Sequence, residues 1–180
     1  MKTLIILAHP NFENSLANKT IIDEVQKKNN TVTVRNIFEL YPDFKIDIKK
    51  EQEVLLEHDN IIFQYPFYWY SMPAILKQWF DLVFDYQFAY GSEGDKLKGK
   101  NFRASFTIGG PEDAYQPLGY NHFRIEEFCK NLEQTAYLAQ MNYQKPIYTH
   151  SMVYIEGVYN TAEAVIERAQ NHANRLLETL

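Results

Sequence analysis

Three short stretches hold most of the residues able to do chemistry. The first, His9-Pro10-Asn11-Phe12-Glu13-Asn14-Ser15-Leu16, puts an imidazole, amides and a hydroxyl just ahead of a helix-like run. A helix start has free amide donors and the positive end of its dipole, which suits a phosphate. An ordinary capped helix after a strand reads the same way. The second, Pro66-Phe67-Tyr68-Trp69-Tyr70-Ser71-Met72-Pro73, sets four aromatic rings between two prolines. Rigid rings on a fixed backbone fit a flat aromatic ligand, or a patch shared with a second subunit. The third, Gly109-Gly110-Pro111-Glu112-Asp113-Ala114-Tyr115, lets backbone approach a ligand closely, because glycine has no side chain. Amide donors there stabilise negative charge developing on that ligand.

These stretches become one site only if the fold brings them together. Strand-like Thr3–Ala8 leads to a helix over Ser15–Lys28, with Asn14 as its cap. Then come a strand at Thr31–Val34, a helix at Lys49–His58, a strand at Ile61–Tyr65 and a helix at Ala74–Phe84. A fourth strand spans Phe102–Ile108, a long helix Phe123–Ala139, a fifth strand Asn142–Val153 and a last helix Thr161–Leu180. Strands separated by helices imply right-handed crossovers and a parallel sheet covered on both faces. The expected architecture is a single α/β domain over residues 1–180, a flavodoxin-like three-layer sandwich with a five-stranded parallel sheet of order 2-1-3-4-5. In such sheets ligands bind outside the carboxyl ends of the strands, where strand order reverses. All three stretches lie at those ends.

Composition narrows the field. Of 180 residues, 46% are apolar and 23% charged, an ordinary globular balance. The net charge of −5 argues against a nucleic-acid binder, and the single cysteine excludes an internal disulfide. The apolar run after Met1 is too short for a secretion signal and lacks a cleavage site, so a soluble cytoplasmic protein is expected. A Gly-rich dinucleotide fingerprint and a Gly-Lys-Ser phosphate loop are both missing, which disfavours Rossmann dehydrogenases and P-loop enzymes. Cys129 reads as a small buried apolar residue. His58, His150 and His172 read as isolated, with no metal site assigned. Glu51, Glu53, Glu57 and Asp59 read as a solvated helix face. The helix Ala74–Phe84 is apolar nearly all round, so its second face is expected to meet another subunit.

The chain resembles the NAD(P)H:quinone oxidoreductase family with a flavodoxin-like fold, in its short bacterial branch. That branch includes general-stress oxidoreductases and ancillary subunits of potassium-efflux systems. The motifs carrying the likeness are Ala8-His9-Pro10 with Ser15, the stretch Phe63 to Ala74, Lys77-Gln78-Trp79-Phe80-Asp81, Phe88-Ala89-Tyr90-Gly91 and Thr107-Ile108-Gly109-Gly110. The resemblance implies a bound flavin, a homodimer and two-electron reduction of quinones by NAD(P)H. It places His9, Asn14, Ser15 and Leu16 at the flavin phosphate, and Pro66, Phe67, Tyr68, Trp69 and Tyr70 around the isoalloxazine. Thr107, Gly109 and Gly110 border the pyrimidine end, with Tyr115 nearby. Phe88, Tyr90 and Tyr120 are candidate contributors across the dimer interface. The longer animal relatives carry an extra C-terminal region that this chain lacks, and they hold FAD. FMN is therefore favoured, with FAD as the other option.

One departure concerns acid catalysis. The longer relatives place a tyrosine and a histidine together over the flavin. Here Tyr115 takes the tyrosine place, Asn121 falls in the histidine place, and His122 is one residue beyond. Imidazole exchanges protons near neutral pH, whereas Asn121 offers only hydrogen bonds. The expected mechanism is ping-pong hydride transfer from NAD(P)H through flavin to a quinone in one shared slot. The alternative is a redox-sensing subunit that regulates a potassium/proton antiporter. A one-electron flavodoxin carrier fits less well, since it would carry a stronger acidic excess.

Overall fold

The run Thr3-Leu4-Ile5-Ile6-Leu7 has no polar face to offer water, so it is stable only between two layers. A computed structural model, which describes residues 1–180, places it as strand β1 (Thr3–Leu7), buried along its whole length. β1 pairs in parallel with β2 (Thr33–Asn36) on one side and β3 (Asn60–Pro66) on the other. β4 (Asn101–Thr107) follows β3. Two short strands, β5 (Asn142–Tyr143) and β6 (Ile147–Thr149), share the far edge of β4. The order β2-β1-β3-β4-β5 is the expected one, with β6 added beside β4.

Side chains alternate across the sheet and so build two cores. Leu4, Ile6, Phe63 and Phe102 join one cluster, while Ile5, Leu7 and Ile62 join the other. Helices α1 (Leu16–Lys28) and α7 (Ala162–Leu177) cover the second cluster. The first is covered by α2 (Ile37–Leu40), α3 (Ile48–Leu56), α4 (Ala74–Val83), α5 (Ile125–Phe128) and α6 (Lys130–Leu138). No helix is long and apolar enough to cross a membrane.

Several expectations need correction. α1 is capped by Ser15, whose hydroxyl accepts the Asn18 N–H at 3.1 Å; Asn14 instead bonds Asn11 in a preceding 3₁₀ turn. The second strand starts two residues late, because Asn29 draws Thr31 into a turn through its backbone N–H and hydroxyl. The long helix breaks at Cys129, leaving α5 and α6 as separate pieces. The fifth strand divides around Pro146, which has no N–H to give a ladder. The outer face of α4 is polar rather than apolar, since Lys77 and Asp81 form an ion pair there.

The acidic cluster is also not uniform. Glu53, Glu57 and Asp59 are exposed, but Glu51 is fully buried. Its carboxylate accepts from Arg35 Nε at 3.1 Å, from the Tyr41 hydroxyl at 2.6 Å and from Trp79 Nε1 at 3.0 Å. A charge is tolerated at such depth only when it is paired and hydrogen-bonded.

Candidate functional site

The carboxyl ends of β1, β3 and β4 open onto a cavity of about 400 Å³, within the range of ligand pockets. Its floor is the start of α1. By helix geometry the first-turn amides there, at Leu16 and Ala17, have no partner four residues back. His9, nearly buried beside them, accepts the Asn11 N–H on Nδ1 at 3.1 Å. Burial holds this imidazole below the usual histidine value, so it is neutral and presents Nε2–H as a donor. Two backbone amides, a donor imidazole and the positive end of a helix fit a phosphate.

A buried chain of side chains holds that floor in place. Asn18 Nδ2 donates to Ser15 Oγ at 3.3 Å and to Thr107 Oγ1 at 3.0 Å. Gln64 Nε2 donates to Asn18 Oδ1 at 2.9 Å, and Ser105 Oγ donates to Gln64 Oε1 at 2.6 Å. Because the Ser105 proton is thus committed, His172 Nε2 donates to Ser105 Oγ at 2.8 Å. The other ring nitrogen, Nδ1, then accepts from the Thr149 hydroxyl, also at 2.8 Å. Arg175 closes the chain by donating to Thr149 Oγ1 at 2.5 Å. His172 is therefore not isolated as expected; it links α7 to the sheet beneath the cavity.

Burial, with Arg175 nearby, pushes the His172 imidazole down from 6.5 to about 3. Between those values the unfolded chain binds a proton that the folded chain refuses. Stability is therefore complete above pH 6.5 and falls as pH drops below it. The His172 contribution lost at about pH 5.5 is about 1.4 kcal/mol. Urea unfolding from pH 7 downward measures it, and His172→Gln should flatten that part of the profile. An unchanged slope in the variant would refute the assignment.

The aromatic loop turns tightly. The Ser71 N–H bonds the Tyr68 carbonyl at 3.0 Å, with Trp69 and Tyr70 both at positive φ, 48° and 62°. Two consecutive left-handed residues make a mirror-image turn that glycine or asparagine usually fills. Pro66, Phe67 and Tyr68 line the cavity, but Trp69 is 92% exposed and does not. Tyr70 stacks on Phe128 at 5.4 Å, and its hydroxyl donates to Asn121 Oδ1 at 3.0 Å. Of the five residues expected around the flat ligand, Pro66, Phe67 and Tyr68 are at the cavity, and Trp69 and Tyr70 stand outside its lining.

On the β4 side the cavity includes Thr107 and Gly109. A Cβ on Gly109 would sit 3.0 Å from Val153 Cγ2, so a side chain there would press on Val153 and glycine gives this approach its clearance. Gly110 lies outside the lining and faces Tyr115 instead; a Cβ there would stand 3.1 Å from the Tyr115 ring. The imidazole beside Tyr115 belongs to His150, with ring centroids 5.2 Å apart, whereas His122 is exposed on a left-handed backbone. His150 Nδ1–H donates to the Gly110 carbonyl at 3.3 Å. Burial holds His150 below the usual value, opposed by the Gly110 carbonyl, Glu112 and Glu126. Burial, then the nearby Tyr70, Tyr120 and Tyr159, raises the Tyr115 phenol above its own.

Asn11, Asn18 and the segment Met152-Val153-Tyr154 also line the cavity and were not anticipated. The sequence pattern ends the fifth strand at Val153, which puts Met152 and Val153 at its end and Tyr154 just beyond it. Strand five ends next to strand four, and that adjacency was the available signal for a fourth lining loop.

Residues 1–179 match the family described as flavodoxin-like fold. Over 143 residues the chain is 48% identical to YdeQ of Bacillus subtilis, named an uncharacterized NAD(P)H oxidoreductase, covering 79% of this chain and 72% of that protein. Over 149 residues it is 43% identical to KefG of Pectobacterium carotovorum, a glutathione-regulated potassium-efflux system ancillary protein, covering 83% and 81%. General stress protein 14 of Treponema denticola, solved in complex with FMN, superposes with a TM-score of 0.89 at 34% identity, covering 99% and 97%. An NADPH-quinone reductase from P. pentosaceus superposes at 0.77 and 30%, covering 96% and 98%. Because the match runs from residue 1 to residue 179 and the strand order is the one this fold requires, the chain belongs to the flavodoxin-like fold family.

Proposed function

We propose that this chain is a flavin-dependent NAD(P)H:quinone oxidoreductase that holds FMN, and that residues 1–180 form its single flavin-binding domain. The carrying observation is the cavity at the start of α1, where backbone donors and His9 meet an aromatic wall. The FMN-bound relative and the relatives named as NAD(P)H oxidoreductase and quinone reductase support the reading. FMN rather than FAD suits a phosphate site that ends at the helix start.

When bound, FMN would supply two-electron redox chemistry between NAD(P)H and a quinone. The chain's own residues do the rest. His9, Ser15, Leu16 and, at the rim, Asn14 hold the phosphate, with Asn18 fixing the direction of the Ser15 hydroxyl. Pro66, Phe67 and Tyr68 set one plane and exclude water from it. Thr107 and the amide of Gly109 offer donors at the opposite end, and Gly110 carries the turn on to Tyr115. Tyr115, kept protonated by burial, supplies a hydroxyl there, and His150 supplies the neighbouring imidazole in place of Asn121 or His122. Asn121 acts instead as the acceptor that holds Tyr70. Trp69, Leu118 and Tyr120, exposed on the loops after β3 and β4, are offered to a second copy in a cytoplasmic homodimer.

The visible spectrum of the purified protein tests this. Flavin bands are expected, fading when NADPH or NADH is added without oxygen and returning when a quinone follows. A colourless protein that takes up neither FMN nor FAD would overturn the proposal. The KefG likeness favours a second role, docking on a potassium-efflux transporter. Co-purification with a membrane transporter, at nucleotide turnover too slow to clear quinones, would make that role primary.

A further inference from the structure

Behind the Gly109-Gly110 loop lies a second cavity, of about 510 Å³, against β6 and α7. Its lining is unlike that of the flavin pocket. Lys145, Arg168 and Arg175 bring three permanent cations, His150 and Thr149 add polar groups, and Glu112 is the single carboxylate. None of the three cations has an ion-pair partner among the salt bridges of the chain. Arg175 spends its Nη2 on two neutral oxygens, the Tyr148 carbonyl and Thr149 Oγ1. Arg168 Nη2 donates to the neutral Asn160 Oδ1, and its Nε is buried with no acceptor. A chain of net charge −5 has acidic groups to spare, yet none pairs directly with these three cations; Glu112 shares the space and Glu126 feels Lys145 only at longer range. Buried guanidinium donors are ordinarily satisfied, so Arg168 Nε has room for an acceptor, and among three cations an anion is the strongest one.

We propose that this cavity binds a phosphate group, delivered as free phosphate or as the phosphate monoester of a nucleotide. Guanidinium forks match tetrahedral phosphate oxygens, and Lys145 adds a mobile charge at the mouth. The site stands apart from the flavin pocket but shares its wall. Ser151 lines one cavity and Met152 to Tyr154 the other. The Tyr159 hydroxyl ties the Gly109 carbonyl at 3.1 Å, and His150 ties Gly110.

Calorimetric titration with inorganic phosphate, and separately with 2′-AMP and 5′-AMP, in the presence of excess FMN, tests the proposal. Saturable one-to-one binding is expected. Lys145→Glu, at an exposed position that leaves the fold intact, should weaken it about tenfold, as loss of a charged hydrogen bond does. Lys98→Glu, in the loop before β4, should leave it unchanged. Binding of 2′-AMP about tenfold tighter than that of both phosphate and 5′-AMP assigns the site to a nucleotide 2′-phosphate. Equal binding of all three assigns it to the phosphate group alone. Binding that appears in a parallel titration without FMN and is lost in its excess would place the anion in the flavin pocket and overturn the proposal. So would equal weakening by the two lysine variants, or no saturable binding. None of these readouts depends on flavin turnover.

Discussion

Glu51→Ala is expected to lower unfolding free energy by about 3–5 kcal/mol, the usual result of stranding one member of a buried ion pair. Glu51 is fully buried and accepts from Arg35, Tyr41 and Trp79 together. Its removal leaves a guanidinium, a phenol and an indole N–H without their acceptor, and alanine cannot admit enough water to replace it. The packing of α3 and α4 against the first core depends on that contact, because Arg35 comes from β2, Glu51 from α3 and Trp79 from α4. Urea midpoints read the effect directly. Glu51→Gln keeps an acceptor and loses only the charge, so it should fall between the wild type and Glu51→Ala. A loss below about 1 kcal/mol in Glu51→Ala would mean that Arg35 finds water on its partly exposed side.

The second large effect is expected at Asn18, which is buried beside the cavity proposed to hold the flavin. Asn18→Leu preserves bulk while removing two donors and an acceptor. Gln64 Nε2 loses its partner at 2.9 Å, a buried orphan worth about 1–3 kcal/mol of stability. Ser15 and Thr107 also lose their shared tie, so the cap of α1 no longer holds its hydroxyl in one direction. FMN affinity should drop about tenfold, by loss of orientation rather than of contact. Equilibrium titration of apoprotein with FMN reads this, alongside urea unfolding. Unchanged affinity with reduced stability would show that the chain from Ser15 to His172 supports the sheet alone.

What could be read in the amino-acid sequence depended on range. Local patterns located β1, β3, β4 and α4 to within a residue or two: β1 is a continuous apolar run, β3 a mostly apolar stretch ending at Pro66, β4 runs into Gly109-Gly110, and α4 opens directly after Pro73. Strand order followed from topology. Other features are decided by contacts far along the chain. Glu51 looks like its exposed neighbours Glu53 and Glu57 until Arg35 and Trp79 are placed around it. His150 and His172 look isolated because their partners, Tyr115 and Ser105, are distant in sequence. Cys129 breaks a helix without any glycine or proline to announce it. The aromatic loop was recognisable as a site wall, but the left-handed turn that swings Trp69 outward is not encoded in its residue types.

The division of the last strand has a consequence for how copies of this chain can meet. A long open strand edge invites another strand to add to it, in productive dimers and in aggregates alike. Here the β4 side ends in pieces of two and three residues, with Gln144 to Pro146 between them and the Lys145 carbonyl bonded to Arg103. No continuous row of backbone donors and acceptors is left for an incoming strand. Copies must therefore associate at this end through side-chain faces and not by extending the sheet, and crowding of partly folded chains should find little purchase there.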